Sequence, residues 1–172
     1  MAPEAGQTAV RRASAGELGR SLRVVAGAVK CTTASEEVLK RVINEQEDTL
    51  WTFTRDEQLV GCFAMLMLNK AGQEALLRDA IDVLDPPSNF LVPTGAEPAA
   101  IYVWAVVGRS LAADGIAKVI VRLQSGPYKF ADVYACPATR DGLRFMRKLG
   151  FEPVPGHPRN LFQYVRLANR LH

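Results

Sequence analysis

The sequence has few of the residues that build metal centres and disulfide frameworks. It contains three cysteines, Cys31, Cys62 and Cys136, and two histidines, His157 and His172. An odd number of widely spaced cysteines does not form a disulfide framework and fits a reducing compartment. Because neither histidine lies near a cysteine at metal-ligand spacing, we expect no metal site and no Ser–His or Cys–His nucleophile pair.

Long apolar runs and strong charge are also missing. The longest apolar stretch, residues 60–68, is about half of a membrane span. The N-terminus lacks the apolar core of a secretory signal. The net charge is +3, whereas nucleic-acid binders usually concentrate more positive charge on one face. We therefore expect a cytoplasmic protein that binds neither a membrane nor nucleic acid.

What remains is an average globular composition in a chain of ordinary domain length. The chain has 172 residues, of which 48% are hydrophobic and 23% charged. Residues 1–8 are small and polar and predict a flexible leader, and residues 9–172 predict a single domain. Residues 85–98 carry four prolines and predict a loop, but neither side of it looks self-sufficient.

The first half of the sequence predicts a short strand, two helices, an antiparallel hairpin and a third helix. Apolar residues recur at helical spacing in the helical stretches, and β-formers flank a polar turn in the hairpin. The predicted ranges are 9–12 for the strand, 14–29 and 35–46 for the first helices, 49–54 and 59–68 for the hairpin, and 71–84 for the third helix.

The second half predicts a strand–helix–strand unit followed by a helix and two strands. Residues 99–107 form a nearly continuous apolar run, as expected of a strand buried on both faces. The following helix and strand, residues 115–124 and 128–136, predict parallel pairing through a right-handed crossover. Residues 139–149 predict the last helix, and residues 151–154 and 161–167 the last strands.

The junction after the first of these strands is rich in small residues. Residues 112–117 contain three alanines and one glycine. The first N–H groups of a helix lack internal partners and carry partial positive charge, so a phosphate can bind where small side chains let it approach. Tight packing of the helix on the sheet is the alternative explanation of the same pattern.

Two motifs in this half resemble those of the GNAT acetyltransferase superfamily. The family's cofactor loop has the form Gln/Arg-x-x-Gly-x-Gly/Ala, which residues 112–117 match at Gly115 and Ala117. Residues 139–151 resemble the family segment Asn-x-x-Ala-x-x-x-Tyr-x-Lys-Leu-Gly-Phe and match its last four positions, residues 148–151. The resemblance covers residues 99–167, and the N-terminal half agrees in the order of its elements.

The resemblance implies an α/β fold with a mixed, twisted sheet of six to seven strands, helices on both faces and splayed fourth and fifth strands. It implies acetyl-CoA or another acyl-CoA as co-substrate, with the pantetheine arm between the splayed strands. The implied contacts are Val106 and Val107 to the pantetheine, Leu111, Ala112, Ala113, Asp114, Gly115, Ile116, Ala117 and Lys118 around the diphosphate, and Thr139 and Phe145 beside the arm.

The sequence departs from the family pattern at three positions. Ala112 replaces a polar side chain of the cofactor loop. Asp114 places a negative charge beside the phosphates, which Lys118 and Arg109 can offset. Met146 stands where many relatives have the tyrosine that protonates the leaving thiolate, and methionine cannot donate a proton.

The implied reaction is direct attack of an amine on the thioester within a ternary complex. Positioning alone can lower the barrier by several kcal/mol. The substitute acids are Tyr134, Cys136 and Tyr164, and the base is Glu97, Glu152 or a water chain. The expected walls of the acceptor pocket are residues 30–34, the hairpin around Trp51, Phe53 and Phe63, and residues 70–98.

The sequence is compatible with several acceptors and with two further functions. The acceptor is a small amine, an amino acid, an aminoglycoside, a protein N-terminus or a lysine, and a homodimer is compatible with the family. One alternative is a catalytically degenerate module that binds acyl-CoA or acts in regulation. A second is an enzyme acting on charged tRNA, for which the arginine-rich residues 140–148 and 159–170 are the only motive. A Rossmann domain is excluded because no Gly-x-Gly-x-x-Gly motif follows an early strand.

Overall fold

The protein forms one mixed sheet of seven strands in the order β1-β2-β3-β4-β5-β7-β6. The structure is a computed structural model and describes residues 8–13, 17, 19, 34–108 and 112–164. Within these ranges no helix is long and apolar enough to cross a membrane. The strands are β1 (Ala9–Arg12), β2 (Leu50–Arg55), β3 (Gln58–Leu68), β4 (Ala100–Gly108), β5 (Asp132–Ala135), β6 (Glu152–Pro153) and β7 (Phe162–Tyr164).

Four helices are described, and three of them begin at a residue whose side chain caps the helix. Ser35, Asn69 and Thr139 accept hydrogen bonds from the third amide beyond them, which satisfies an otherwise unpaired N–H group. The helices are α1 (Glu36–Glu45), α2 (Lys70–Leu77), α3 (Ala113–Arg122) and α4 (Arg140–Lys148).

The helices lie on both faces of the sheet. Val119 and Leu123, from α3 and its end, pack with Val133 of β5, and Met146 of α4 packs with Ala135 of the same strand. Residues of α1 and α2 pack on the opposite face. Strands β4 and β5 are parallel, and the other described strand pairs are antiparallel. The predicted mixed sheet with helices on both faces is confirmed.

Some predicted boundaries were wrong. The third helix ends at Leu77 rather than at residue 84, because Asp79 adopts a left-handed backbone conformation with φ +55°. Strand β5 begins at Asp132, four residues later than predicted, because Gly126–Tyr128 forms a 3-10 turn. The last two strands are also shorter than predicted, and residues 165–167 lie outside the described residues.

Most of the predicted leader and first helix also lies outside the described residues. Residues 1–7 and most of residues 14–33 are not described. Thr8, the last residue of the predicted leader, is buried, and its carbonyl accepts a hydrogen bond of 2.9 Å from Lys118 Nζ. The chain is therefore tied to α3 from Thr8 onward.

Candidate functional site

The sheet opens between β4 and β5. The two strands pair over four residues, from Ala100 with Asp132 to Val103 with Ala135. Strand β4 continues to Gly108, where it still pairs with β3. No described strand lies beside the other edge of β4 beyond Val103. The fourth and fifth strands are thus splayed, as predicted.

A β-bulge lies at the point where the two strands part. On β3, Ala64 pairs with Ala105 and the next residue, Met65, pairs with Val103, so Trp104 is an extra residue in β4. A bulge bends its strand and increases the local twist. Because this one directly follows the last β4–β5 pair, the bulge accounts for the separation of the strands.

A cavity of about 510 Å³ passes through this gap. Its walls come from both faces of the sheet. On the α3 and α4 face the described wall residues include Phe63, Val103, Val106, Ile120, Leu123, Gln124, Val133, Ala135, Thr139, Gly142, Phe145, Met146, Leu149, Phe151 and Tyr164. On the α1 and α2 face they include Leu39, Leu50, Ala64, Val83, Leu84, Tyr102, Trp104 and Cys136.

The described wall of the cavity contains no formally charged side chain. None of its residues is Asp, Glu, Lys, Arg or His. The phenol and thiol groups in the described wall belong to Tyr102, Tyr164 and Cys136. The cavity is therefore apolar with three weak acids in its wall.

The thiol of Cys136 is half-buried at the end of β5. Burial raises its pKa, and a hydrogen bond with the Tyr102 side chain acts in the opposite direction. The thiol therefore stays protonated at neutral pH. By contrast, Cys62 lies in the core on the α1 face, and burial raises its pKa to about 12.

The three predicted acids occupy different places. Cys136 and Tyr164 both line the cavity, on opposite faces of the sheet, and the Tyr164 ring lies 5.7 Å from that of Phe151. Tyr134 is buried beneath α2, where its hydroxyl accepts a hydrogen bond of 3.2 Å from Gln73 Nε2, and it is not among the described wall residues. Burial raises the Tyr134 pKa.

The two predicted bases are exposed and are absent from the described wall. Glu97 precedes β4 and Glu152 lies in β6. Met146, at the position of the family tyrosine, is buried and packs against Ala135 and Phe162 while lining the cavity. Met146 therefore lies in the cavity wall, as its place in the motif predicts, but its thioether cannot donate a proton.

Two small residues of the predicted cofactor loop, Ala112 and Gly115, are needed for packing. A Cβ atom on Gly115 would lie 2.6 Å from Cγ of Phe53, and one on Gly108 would lie 2.2 Å from Cβ of Ala112. Ala112 is fully buried, so a longer side chain has no room there. The missing polar side chain at this position therefore follows from how closely α3 approaches the sheet.

The exposed part of the same loop leads into the N-terminus of α3. The N-cap residue of α3 is Ala112, whose side chain accepts no hydrogen bond from the helix, unlike the N-cap residues of α1, α2 and α4. Asp114 pairs with Lys118 at 2.8 Å, and both are about half exposed. Ala113 and Ala117 are exposed, and Ile116 is half-buried against the core. Leu111 and Arg109 lie outside the described residues.

The residues predicted to flank the pantetheine arm divide between the cavity and the core. Val106 lines the cavity with 37% of its surface exposed, whereas Val107 faces the core on the α1 face. Thr139 and Phe145 line the cavity, and the Thr139 hydroxyl also caps α4 by accepting from the Gly142 amide at 3.0 Å.

The segment after α2 contributes to the cavity wall. The sequence predicted this wall only as part of the range 70–98. Val83 and Leu84 line the cavity. Arg41 of α1 holds this segment through Asp85 at 2.8 Å and the Pro86 carbonyl at 2.9 Å. Of the other expected acceptor walls, Ala34 and Phe63 line the cavity, and Trp51 and Phe53 lie in the core. Residues 30–33 lie outside the described residues.

The wall residues Leu39, Leu50, Tyr102, Ile120 and Leu123 were missed altogether. Their sequence signal, an apolar residue on the inner side of a helix or strand, is shared by every core residue.

The arginine-rich segments show local pairing where they are described. Arg144 pairs with Asp141 at 3.3 Å within α4, and Arg159 pairs with Asp79 at 2.5 Å. Residues 165–170 lie outside the described residues. These ion pairs offset part of the positive charge that motivated the tRNA alternative.

No protein-family model matches the chain, and no curated protein matches it. Solved structures match it in fold. The loading GNATL domain of CurA from Lyngbya majuscula has a TM-score of 0.62 at 13% identity, with 92% of this chain and 98% of that chain covered. Naa50 from Arabidopsis thaliana, in complex with the bisubstrate analogue CoA-Ac-MVNAL, has a TM-score of 0.55 at 12% identity, covering 91% of this chain and 95% of that one.

A third similar structure is the GphF GNAT-like decarboxylase in complex with isobutyryl-CoA. Its TM-score is 0.54 at 15% identity, with 84% of this chain and 72% of that chain covered. At these identities the likeness establishes the fold, which is the fold of the GNAT acetyltransferases.

Proposed function

We propose that this chain, which has the GNAT fold, is an N-acyltransferase that transfers an acyl group from acyl-CoA to an amine. The observation that carries the proposal is the cavity through the gap between β4 and β5. It joins the two faces of the sheet at the point where β4 has one edge without a neighbouring described strand. A ternary complex needs a cavity that holds the thioester inside the protein where the acceptor can reach it.

The edge of β4 beyond Val103 suits an extended, amide-containing chain. A peptide-like ligand can add to an exposed strand edge through main-chain hydrogen bonds. The pantetheine arm of coenzyme A carries two amides and has this character. Val106, Thr139 and Phe145 line the cavity along this route.

The diphosphate has a matching site at the start of α3. The first amides of α3 donate no hydrogen bond to a capping side chain, and a helix N-terminus attracts anions. Lys118 adds a positive charge one turn further on, although it is paired with Asp114. In this proposal the loop binds phosphate through backbone amides.

The leaving thiolate of coenzyme A needs a proton, and we assign Cys136 as its source. The thiol lines the cavity and is held protonated at neutral pH by its burial. Tyr164 is the other acid in the wall from the predicted set. The described wall contains no carboxylate or imidazole, and we assign the removal of the amine proton to a water chain. The Naa50 and GphF complexes support acyl-CoA as the acyl donor, since those proteins, which have the same fold, hold a bisubstrate analogue of CoA and isobutyryl-CoA.

The binding part of the proposal is tested by blocking the gap. Val106→Trp places a large side chain in the cavity at a partly exposed position. Val121→Trp is the matched control, because Val121 lies on α3 at 64% exposure and is not among the described wall residues. We expect calorimetric titration to show at least tenfold weaker binding of coenzyme A for Val106→Trp and unchanged binding for the control. Equal affinity in both variants contradicts the assigned route.

The catalytic part of the proposal is tested by incubating the protein with acetyl-CoA and each of a panel of primary amines. Chromatography then measures the coenzyme A that is released. With an amine that the protein acetylates, Cys136→Ala is expected to lower kcat by about 10²- to 10⁴-fold, as is typical for loss of a general acid. Cys136→Ala should leave coenzyme A affinity unchanged. An unaltered kcat removes Cys136 from the mechanism.

A second candidate function is a binding module that holds acyl-CoA without turnover. The position of Met146, buried among apolar side chains where relatives carry a tyrosine, favours it. Tight binding of acetyl-CoA with no release of coenzyme A to any amine in the panel supports the module and contradicts the enzyme.

A further inference from the structure

The half of the cavity on the α1 and α2 face has a wall that is apolar apart from the Tyr102 hydroxyl, the Cys136 thiol and the Trp104 indole N–H. We infer that this half binds the hydrocarbon chain of an acyl group longer than acetyl. The inference rests on the proposed function, because it places the thioester in the gap. It concerns Leu39, Leu50, Ala64, Val83, Leu84 and Trp104.

The side chains named for this half come from five separate parts of the chain. Leu39 lies on α1, Leu50 and Ala64 on β2 and β3, Val83 and Leu84 on the segment after α2, and Trp104 on β4. Leu39, Leu50 and Ala64 are each less than 9% exposed and belong to one core cluster. The wall of this half is therefore built from several elements and includes residues of the core.

The position of this half relative to the gap fixes which part of the substrate enters it. If the pantetheine arm runs along the edge of β4 on the α3 and α4 face, its sulfur ends in the gap. The atoms beyond the thioester carbonyl then continue to the other face of the sheet. They meet Trp104 at the bulge and the leucines behind it.

The chemistry of the wall favours an acyl chain over a charged acceptor in this half. A protonated amine would lose its water there without a carboxylate in the described wall to replace it, which is unfavourable. A saturated chain has no polar group that must leave water, and each methylene that is buried adds favourably to the free energy of binding. The wall therefore selects hydrocarbon.

The test compares binding of coenzyme A with binding of acetyl-, butyryl-, hexanoyl- and octanoyl-CoA to the full chain by calorimetry. We expect affinity to rise by up to about fourfold per methylene, the fold change that corresponds to about 0.8 kcal/mol. Leu84→Trp shortens the cavity at a partly exposed position and is expected to abolish the rise in affinity with chain length.

Leu77→Trp is the matched control, because Leu77 is 38% exposed at the end of α2 and is not among the described wall residues. This variant should keep the dependence on chain length. Equal affinity for all thioesters, or weaker binding of the longer ones, overturns the inference and leaves the proposed function standing. If neither coenzyme A nor any thioester binds, the proposed function fails and this inference fails with it.

Discussion

Gly115 shows how one residue type can satisfy two different explanations. In sequence it matches a cofactor loop, where glycine lets a phosphate approach the backbone. In the structure its missing Cβ leaves room for the ring of Phe53, at a distance of 2.6 Å from where that Cβ would lie. Packing alone is therefore a sufficient reason for glycine at this position, and any contact with phosphate is additional to it.

Gly115→Ala is therefore expected to destabilise the fold. Although alanine has the higher helix propensity, overpacking against Phe53 should lower the free energy of unfolding by about 1–3 kcal/mol. Gly142→Ala in α4 is the control, because a Cβ there would meet only the Thr139 hydroxyl, at 3.2 Å. Its expected change is within about 0.5 kcal/mol. Urea unfolding of both variants measures the difference, and equal stabilities contradict the packing argument.

At the scale of elements, the start of α3 carries opposing electrostatic contributions. The helix N-terminus attracts anions, and Asp114 in the first turn repels them while pairing with Lys118. Under the proposed function, Asp114 therefore stabilises the helix and weakens binding of the diphosphate.

Asp114→Asn is expected to strengthen binding of coenzyme A severalfold at low salt, because it removes a negative charge and releases Lys118. The gain should shrink at high salt, as the ion atmosphere screens exposed charges. Glu36→Gln is the control, since Glu36 forms the same kind of pair with Lys40, at 2.9 Å, in the first turn of α1. Calorimetric titration at two salt concentrations measures the effect, and a gain in both variants refutes the placement of the diphosphate.

A second group of contacts joins three elements beneath the sheet. Asp48, in the turn before β2, accepts a hydrogen bond from the Tyr128 hydroxyl and one of 2.6 Å from Arg12 Nε of β1. Burial and the neighbouring Asp48 raise the pKa of Tyr128 above its ordinary value. The folded state therefore keeps the Tyr128 proton at a pH where the unfolded chain has lost it.

Stability is expected to fall in alkaline solution for this reason. The contribution of Tyr128 is complete below its unfolded pKa of about 10 and is lost above it, by up to about 1.4 kcal/mol per pH unit. Tyr128→Phe lacks the titrating group, so its free energy of unfolding should be lower at neutral pH but should fall less steeply above pH of about 10. Urea unfolding across this range provides the measurement. Parallel curves for both proteins contradict the assignment.

At the scale of the whole molecule, one buried side chain joins parts of the chain that are distant in sequence. The Gln46 amide follows α1 and donates to the carbonyls of Met67, at 2.6 Å, and Val92, at 2.7 Å. Its oxygen accepts from the Met67 amide at 3.1 Å. Gln46 thereby fixes the segment after α2 against β3, and this segment carries Val83 and Leu84 to the cavity.

Gln46→Leu should be strongly destabilising, because it removes the partners of the Met67 amide and the Val92 carbonyl, whereas the Met67 carbonyl keeps a hydrogen bond of 3.0 Å from the Val92 amide. Each of the two groups costs about 1–3 kcal/mol, so the free energy of unfolding should fall by at least about 2 kcal/mol. Gln73→Leu is the control, since the buried Gln73 side chain donates only to the Tyr134 hydroxyl and accepts from Lys70. A smaller loss is expected there. Comparable losses in urea unfolding contradict the special role of Gln46.

The order of the elements and the class of fold could be predicted from local sequence patterns. Periodicity located α1, α3, α4 and the β2–β3 hairpin to within about two residues, because amphipathic patterns and caps act locally. The motif at residues 148–151 and the small residues after β4 indicated the fold family, which similar structures support.

The position and the wall of the cavity depend on tertiary contacts. The bulge at Trp104 depends on the register between β3 and β4, and the wall combines residues from α1, the hairpin, the segment after α2 and the last helix. No local pattern distinguishes Leu39 or Leu84 from an ordinary core leucine. The early end of α2 was likewise missed, because packing of the segment from Asp79 onward outweighed its helical pattern.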